Sequence, residues 1–65
     1  MKKFYVQAEV GAAPALLAIS RCLNNGHVGS TDWPGPLWLT CDDEEEPAVR
    51  ELITEAGLTI TREAG

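Results

Sequence analysis

No stretch of this chain approaches the roughly 20 apolar residues that a membrane-crossing helix needs. Lys2 and Lys3 resemble the basic start of a secretory leader, but Gln7 and Glu9 interrupt the apolar run that would have to follow, so no signal peptide is expected. Cysteine is scarce. Two residues, Cys22 and Cys41, cannot build the framework that staples small secreted domains. Both lie inside apolar segments, where a buried free thiol is the usual state, and the reading is of reduced, buried cysteines in a cytoplasmic protein. Histidine occurs once, at His27, five residues from Cys22 across a helix end and with no third group placed to orient it, so no nucleophile–base pair is assembled. Two cysteines and one histidine also lack the paired spacing of a zinc site. A glycine-rich phosphate loop is absent, and so is the alternation of oxygen ligands around a glycine that calcium requires. The expectation is a protein that is not an enzyme and uses neither metal nor cofactor.

At 65 residues the chain allows one domain with one core, residues 1–65. A folded chain of this mass keeps roughly 4,000 Å² of surface, and a typical interface takes about 800 Å² of it per side. Little is left for both a core and an enclosed pocket. Base is the scarce charge: ten acids face five basic residues, for a net charge of −5. The imbalance is uneven. Residues 1–31 hold Lys2, Lys3 and Arg21 against Glu9, a net of +2, whereas residues 32–65 hold nine acids against Arg50 and Arg62, a net of −7. Such a chain repels nucleic acid and anionic membrane and attracts basic surfaces.

Residues 3–10 alternate, with Phe4, Val6, Ala8 and Val10 on one face and Tyr5, Gln7 and Glu9 on the other, which predicts a half-buried strand. Gly11 breaks it and Pro14 suits the first turn of a helix. That helix carries Ala12, Ala15, Leu16, Ile19, Cys22 and Leu23 on one arc, leaves Leu17 off it, and stops at Asn25-Gly26. Residues 27–33 fit a short edge strand or a loop. Pro34-Gly35-Pro36 is a stiff turn, and Leu37–Cys41 reads as a central strand. A second helix follows Pro47, with Ala48, Val49, Leu52, Ile53 and Ala56 as its buried face, and Leu58–Thr61 alternates as a last strand. The order predicts an α+β two-layer sandwich with both helices on one face of a small sheet. It is a ferredoxin-like βαββαβ if residues 27–33 form a strand, and a reduced βαβαβ if they do not.

The most unusual local feature is the run Asp42-Asp43-Glu44-Glu45-Glu46. Carboxylates at a helix start interact well with its dipole, and Asp43 with Glu46 has capping-box spacing. Capping leaves Glu51 and Glu55 unexplained, a like-charge pair at i, i+4 that mildly destabilises an isolated helix. These acids serve plain solubility or form a recognition surface for a basic partner, and on the second reading the candidate partner-binding set is Asp42, Asp43, Glu44, Glu45, Glu46, Glu51 and Glu55, with Asp32 and Trp33 at its margin. Trp33 and Trp38 bracket the Pro-Gly-Pro turn. They either pack the open end of a tiny core or, for Trp33, anchor a contact.

Residues 14–28 (PALLAISRCLNNGHV) and 37–63 (LWLTCDDEEEPAVRELITEAGLTITRE) resemble the ACT family of small ligand-binding regulatory domains. The shared pattern is a proline-containing turn into a leucine-rich helix ending in glycine, then a strand and a helix closed by Ala56-Gly57-Leu58. The resemblance implies a βαββαβ fold, dimerisation, and an amino acid or other metabolite bound near Gly11, Ala12 and Ala13. The glycine that follows the proline in that family is Ala15 here. In type, though not in motif, a tiny acidic domain without catalytic groups resembles the phage anti-CRISPR proteins and other nucleic-acid mimics. That resemblance implies an inhibitor, a monomer or weak homodimer, that covers the basic nucleic-acid-binding surface of a partner such as a CRISPR effector subunit. It would bind neither nucleic acid directly nor membrane.

Overall fold

A computed structural model describes residues 1–30 and 35–65. Strand β1 (Lys2–Val6) leads into helix α1 (Ala12–Arg21), then β2 (His27–Ser30), β3 (Leu37–Cys41), a single 3-10 turn (Asp43–Glu45), helix α2 (Glu46–Glu55) and β4 (Ile60–Ala64). The strands form one sheet in the order β2-β3-β1-β4, and every neighbouring pair is antiparallel. Residues 27–30 are thus a strand and the three-stranded alternative falls away. The apolar run of β3 is central, as its composition implies, because β1 flanks it on one side and β2 on the other.

Alternation sorts the side chains of β1 and β3 into two sets. Phe4, Val6, Leu37, Leu39 and Cys41 are buried and form one cluster with Ala12, Leu16 and Ile19 of α1 and Val49 and Ile53 of α2. The helices touch each other as well as that cluster, so both lie on one face of the sheet. Gly11 enters α1 with φ 87° and Gly57 leaves α2 with φ 79°, left-handed values that a side chain would strain. Among the described residues no helix is long and apolar enough to cross a membrane.

Four expectations of element bounds and burial need correction. The last strand is Ile60–Ala64, not Leu58–Thr61. The first strand ends at Val6, not Val10; its pairing with β3 ends at Leu37 and its ladder with β4 shifts register between Tyr5 and Val6, so Val10 runs on into full exposure. Helix α1 ends at Arg21, and Cys22 is its exposed C-cap. On a helical wheel Cys22 lies well to the side of the Ala12–Leu16–Ile19 stripe, and its Sγ donates to the Ala18 carbonyl at 3.6 Å instead of entering the core. In α2 the buried stripe narrows to Val49 and Ile53. Leu52 is 36% exposed, and Ala48 and Ala56 are exposed. A ten-residue helix over so small a sheet meets it along one narrow line, and Leu52 falls about 100° from Ile53.

Ile53→Ala should therefore cost about 2–5 kcal/mol, and Leu52→Ala less than about 1 kcal/mol. Urea unfolding of the two variants checks this. Equal losses would place Leu52 in the core after all.

Candidate functional site

The acidic residues leave β3 at its C-terminal end and run straight into α2. Asp42 is extended (φ −70°, ψ 151°) and its N–H donates to Glu45 Oε1 at 3.4 Å, while the Glu45 N–H donates to the Asp42 carbonyl at 2.9 Å. The capping box thus pairs Asp42 with Glu45, one residue earlier than the Asp43–Glu46 spacing implied, because the 3-10 turn starts before α2 does. Asn25 Nδ2 donates to Asp42 Oδ2 and the Asn24 N–H to Glu45 Oε2, each at 3.3 Å, so both carboxylates also tie the end of α1 to the start of α2.

Glu46 and Asp43 are engaged as well. Glu46 Oε1 lies 3.1 Å from Lys2 Nζ and 3.7 Å from Arg50 Nη2, and Asp43 Oδ1 lies 3.0 Å from the N-terminal ammonium. Arg50 and Lys2 converge on Glu63 of β4. The Arg50 guanidinium donates through Nη1 to Oε2 and through Nη2 to Oε1 at 2.7 Å, and Lys2 Nζ lies 3.3 Å from Oε1. The guanidinium also sits 5.4 Å from the centre of the Phe4 ring, which is fully buried. These contacts hold Glu63 down to a pKa of about 2, chiefly through the Arg50 hydrogen bonds and then Lys2, and they raise Lys2 and Arg50. The Lys2–Glu46–Arg50–Glu63 network was missed from sequence. Its only local signal is the Glu46–Arg50 i, i+4 pair; Lys2 and Glu63 arrive from strands at opposite ends of the chain.

What remains is Glu44, Glu51 and Glu55, which are exposed. At i, i+7 and i+11 along the turn and helix they stack on one side, roughly opposite Val49 and Ile53. The nine predicted contact residues therefore divide: Asp42 and Glu45 cap, Glu46 and Asp43 pair with cations, Glu44, Glu51 and Glu55 face solvent, and Asp32 and Trp33 lie outside the described residues.

A second feature is an open, mainly apolar cleft of about 460 Å³ where β1 passes into α1, lined by Ala8, Glu9, Val10, Gly11, Ala13, Pro14 and Leu37. It is poorly equipped for an anion. The Ala12 N–H is bonded to the Glu9 carbonyl (3.0 Å) and the Ala15 N–H to the Gly11 carbonyl (3.2 Å), and Pro14 has none, so at most the Ala13 N–H is left at the helix start. Among the described residues no group of three or more His, Cys, Asp and Glu side chains is placed to hold a metal ion. Cys41 is buried, and its thiol is pushed up by that burial and then by the carboxylates of Glu45, Asp42, Glu46 and Asp43. No protein family, curated protein or solved structure matches this chain.

Two outcomes follow from these environments. Because Glu63 is depressed in the folded state, the stability it contributes is present above its ordinary pKa of 4.5 and is lost as pH falls toward about 2. The urea midpoint should drop across that window, and Glu63→Gln should lower the midpoint at neutral pH and flatten the drop. A thiol reagent should label Cys22 quickly in the native state and Cys41 only on unfolding, giving one fast thiol rather than none.

Proposed function

We propose that this chain is a non-enzymatic acidic binding protein that inhibits a partner by occupying its basic, nucleic-acid-binding surface, in the manner of the anti-CRISPR and nucleic-acid-mimic inhibitors it resembles in type. The observation that carries the reading is the stripe Glu44–Glu51–Glu55. Like charges stacked on a helix oppose folding slightly, none of the three caps a helix or enters the ion network described above, and each is exposed. A row of unneutralised carboxylates on a rigid helix presents negative charge to a lysine- and arginine-lined groove and competes with the phosphates that groove binds. Leu52, about a third exposed beside the row, adds an apolar contact. The strand order β2-β3-β1-β4 with two helices on one face supports the ferredoxin-like βαββαβ form as the scaffold.

The ACT-like reading, a dimeric module binding an amino acid or other metabolite, has one observation in its favour: the 460 Å³ cleft touches Gly11 and Ala13. It is the weaker reading because the start of α1 offers so few free N–H groups to a carboxylate.

The test reverses the stripe and spares the capping residues. A Glu44→Lys/Glu51→Lys/Glu55→Lys variant should keep the parent circular dichroism. Partners captured from host lysate by the parent should be released by added nucleic acid and by raised salt, and the variant should bind them at least tenfold more weakly, mainly through a slower on-rate. A partner held as tightly by the variant as by the parent would sink the mimic reading. Thermal stabilisation by one amino acid in a panel would instead favour the cleft.

A further inference from the structure

The helices cover one face of the sheet; the other carries a different chemistry. Residues whose side chains alternate away from the core are Lys3 and Tyr5 on β1, Trp38 and Thr40 on β3, His27 and Gly29 on β2, and Arg62 and Ala64 on β4. Tyr5 pairs directly across the strands with Trp38 on one side and Arg62 on the other. The Trp38 indole lies over Gly29, where an added Cβ would fall 2.7 Å from Cε2 and 2.9 Å from Cη2, so it rests flat along the sheet with Lys3 over the ring. Lys3 Nζ sits 4.7 Å from the Trp38 ring centre and 5.7 Å from that of Tyr5, and the Arg62 guanidinium sits 5.3 Å from Tyr5. Among the described strand residues no carboxylate projects from this face.

We infer that this face is a stacking platform for a short stretch of single-stranded nucleic acid, with bases on Tyr5 and Trp38 and phosphates on Lys3 and Arg62. Adjacent aromatic rings with cations lying over them, on side chains long enough to swing onto phosphates as a base takes the ring face, supply both contacts that single strands use, and a four-stranded sheet stacks two or three bases in this way. The other occupants fit less well. Four strands about 4.8 Å apart and about 16 Å long present roughly 300 Å², well under the 800 Å² or so per side of a stable protein contact. A second copy packed face to face would also bring two sets of Lys3 and Arg62 together. An acidic peptide would meet the cations but leave the rings unused. The net charge of the chain does not forbid the contact. The molecule is 18 Å across in its thinnest direction, about two Debye lengths at physiological salt, and the unpaired glutamates lie on the helix layer behind the sheet.

This inference goes beyond the proposed inhibitor function and uses the opposite face, so the two fail separately. Fluorescence anisotropy of a labelled short oligo(dT) at low salt is the measurement, with a duplex of equal length and a poly-glutamate peptide as comparisons and folding checked by circular dichroism. The single strand should bind and the two comparisons should not. Tyr5→Leu and Trp38→Leu should each weaken binding about tenfold, Arg62→Gln should flatten the salt dependence by about 0.7 in log–log slope, and the triple-lysine stripe variant should still bind. If Trp38→Leu does not fold, Tyr5→Leu decides alone. No binding at the highest soluble concentration, equal binding of duplex or poly-glutamate, indifference to both aromatic substitutions, or a dimer dispersed by Tyr5→Leu would each overturn the assignment.

Discussion

Everything in this molecule hangs on a sheet with a single helical layer, and on β1 as the strand that divides the two sides. Lys2, Phe4 and Val6 point toward the helices, whereas Lys3 and Tyr5 point away. The inward set meets α1 and α2 in one core of ten buried apolar side chains among the described residues, with Phe4 and Leu39 fully enclosed at cross-strand neighbours. A core this small depends on each member, because a domain of this size buries only about 60% of the surface its unfolded chain exposes. The ion network at its margin closes the gap that a larger core would fill. Arg50 lies over Phe4 and joins α2 to β4 through Glu63, while Lys2 joins β1 to both. Such exposed pairs are individually weak, but here they share atoms and shield an aromatic edge from water.

The same layering sorts the charge. Carboxylates gather where β3 turns into α2, since that junction has free N–H groups that reward them. Cations are spent in two ways: Lys2 and Arg50 neutralise Glu46 and Glu63 on the helix side, and Lys3 and Arg62 lie over rings on the open side. The outcome is a molecule with an acidic outer helix stripe and a basic, aromatic sheet face. Neither property is visible in the net charge of −5, which describes the sum and not its distribution.

Local sequence rules determined the elements. Gly11, Pro14, Pro47 and Gly57 set the helix ends to within a few residues, the period-2 pattern around Phe4 and Val6 marked β1, and the apolar run at Leu37–Cys41 marked a central strand. Glu51 and Glu55 were legible as an outward pair from helical spacing alone. Tertiary structure decided what spacing could not. Spacing assigns Cys22 and Leu52 to the apolar arcs of their helices, yet α1 stops at Arg21 with Cys22 to the side of its buried stripe, and the sheet under α2 is too narrow to reach Leu52, so both are exposed. Residues 27–30 are a strand because β3 offers them a partner edge, a condition written seven or more residues away. Four of the five consecutive acids take caps or ion pairs other than those the spacing implied, since the 3-10 turn shifts the box to Asp42 and Glu45, distant Lys2 claims Glu46 and the N-terminal ammonium claims Asp43. Lys3, Tyr5, Trp38 and Arg62 are scattered from one end of the chain to the other, and only the antiparallel register sets them side by side. Periodicity is a property of a few adjacent residues, whereas burial and charge pairing depend on which strands meet.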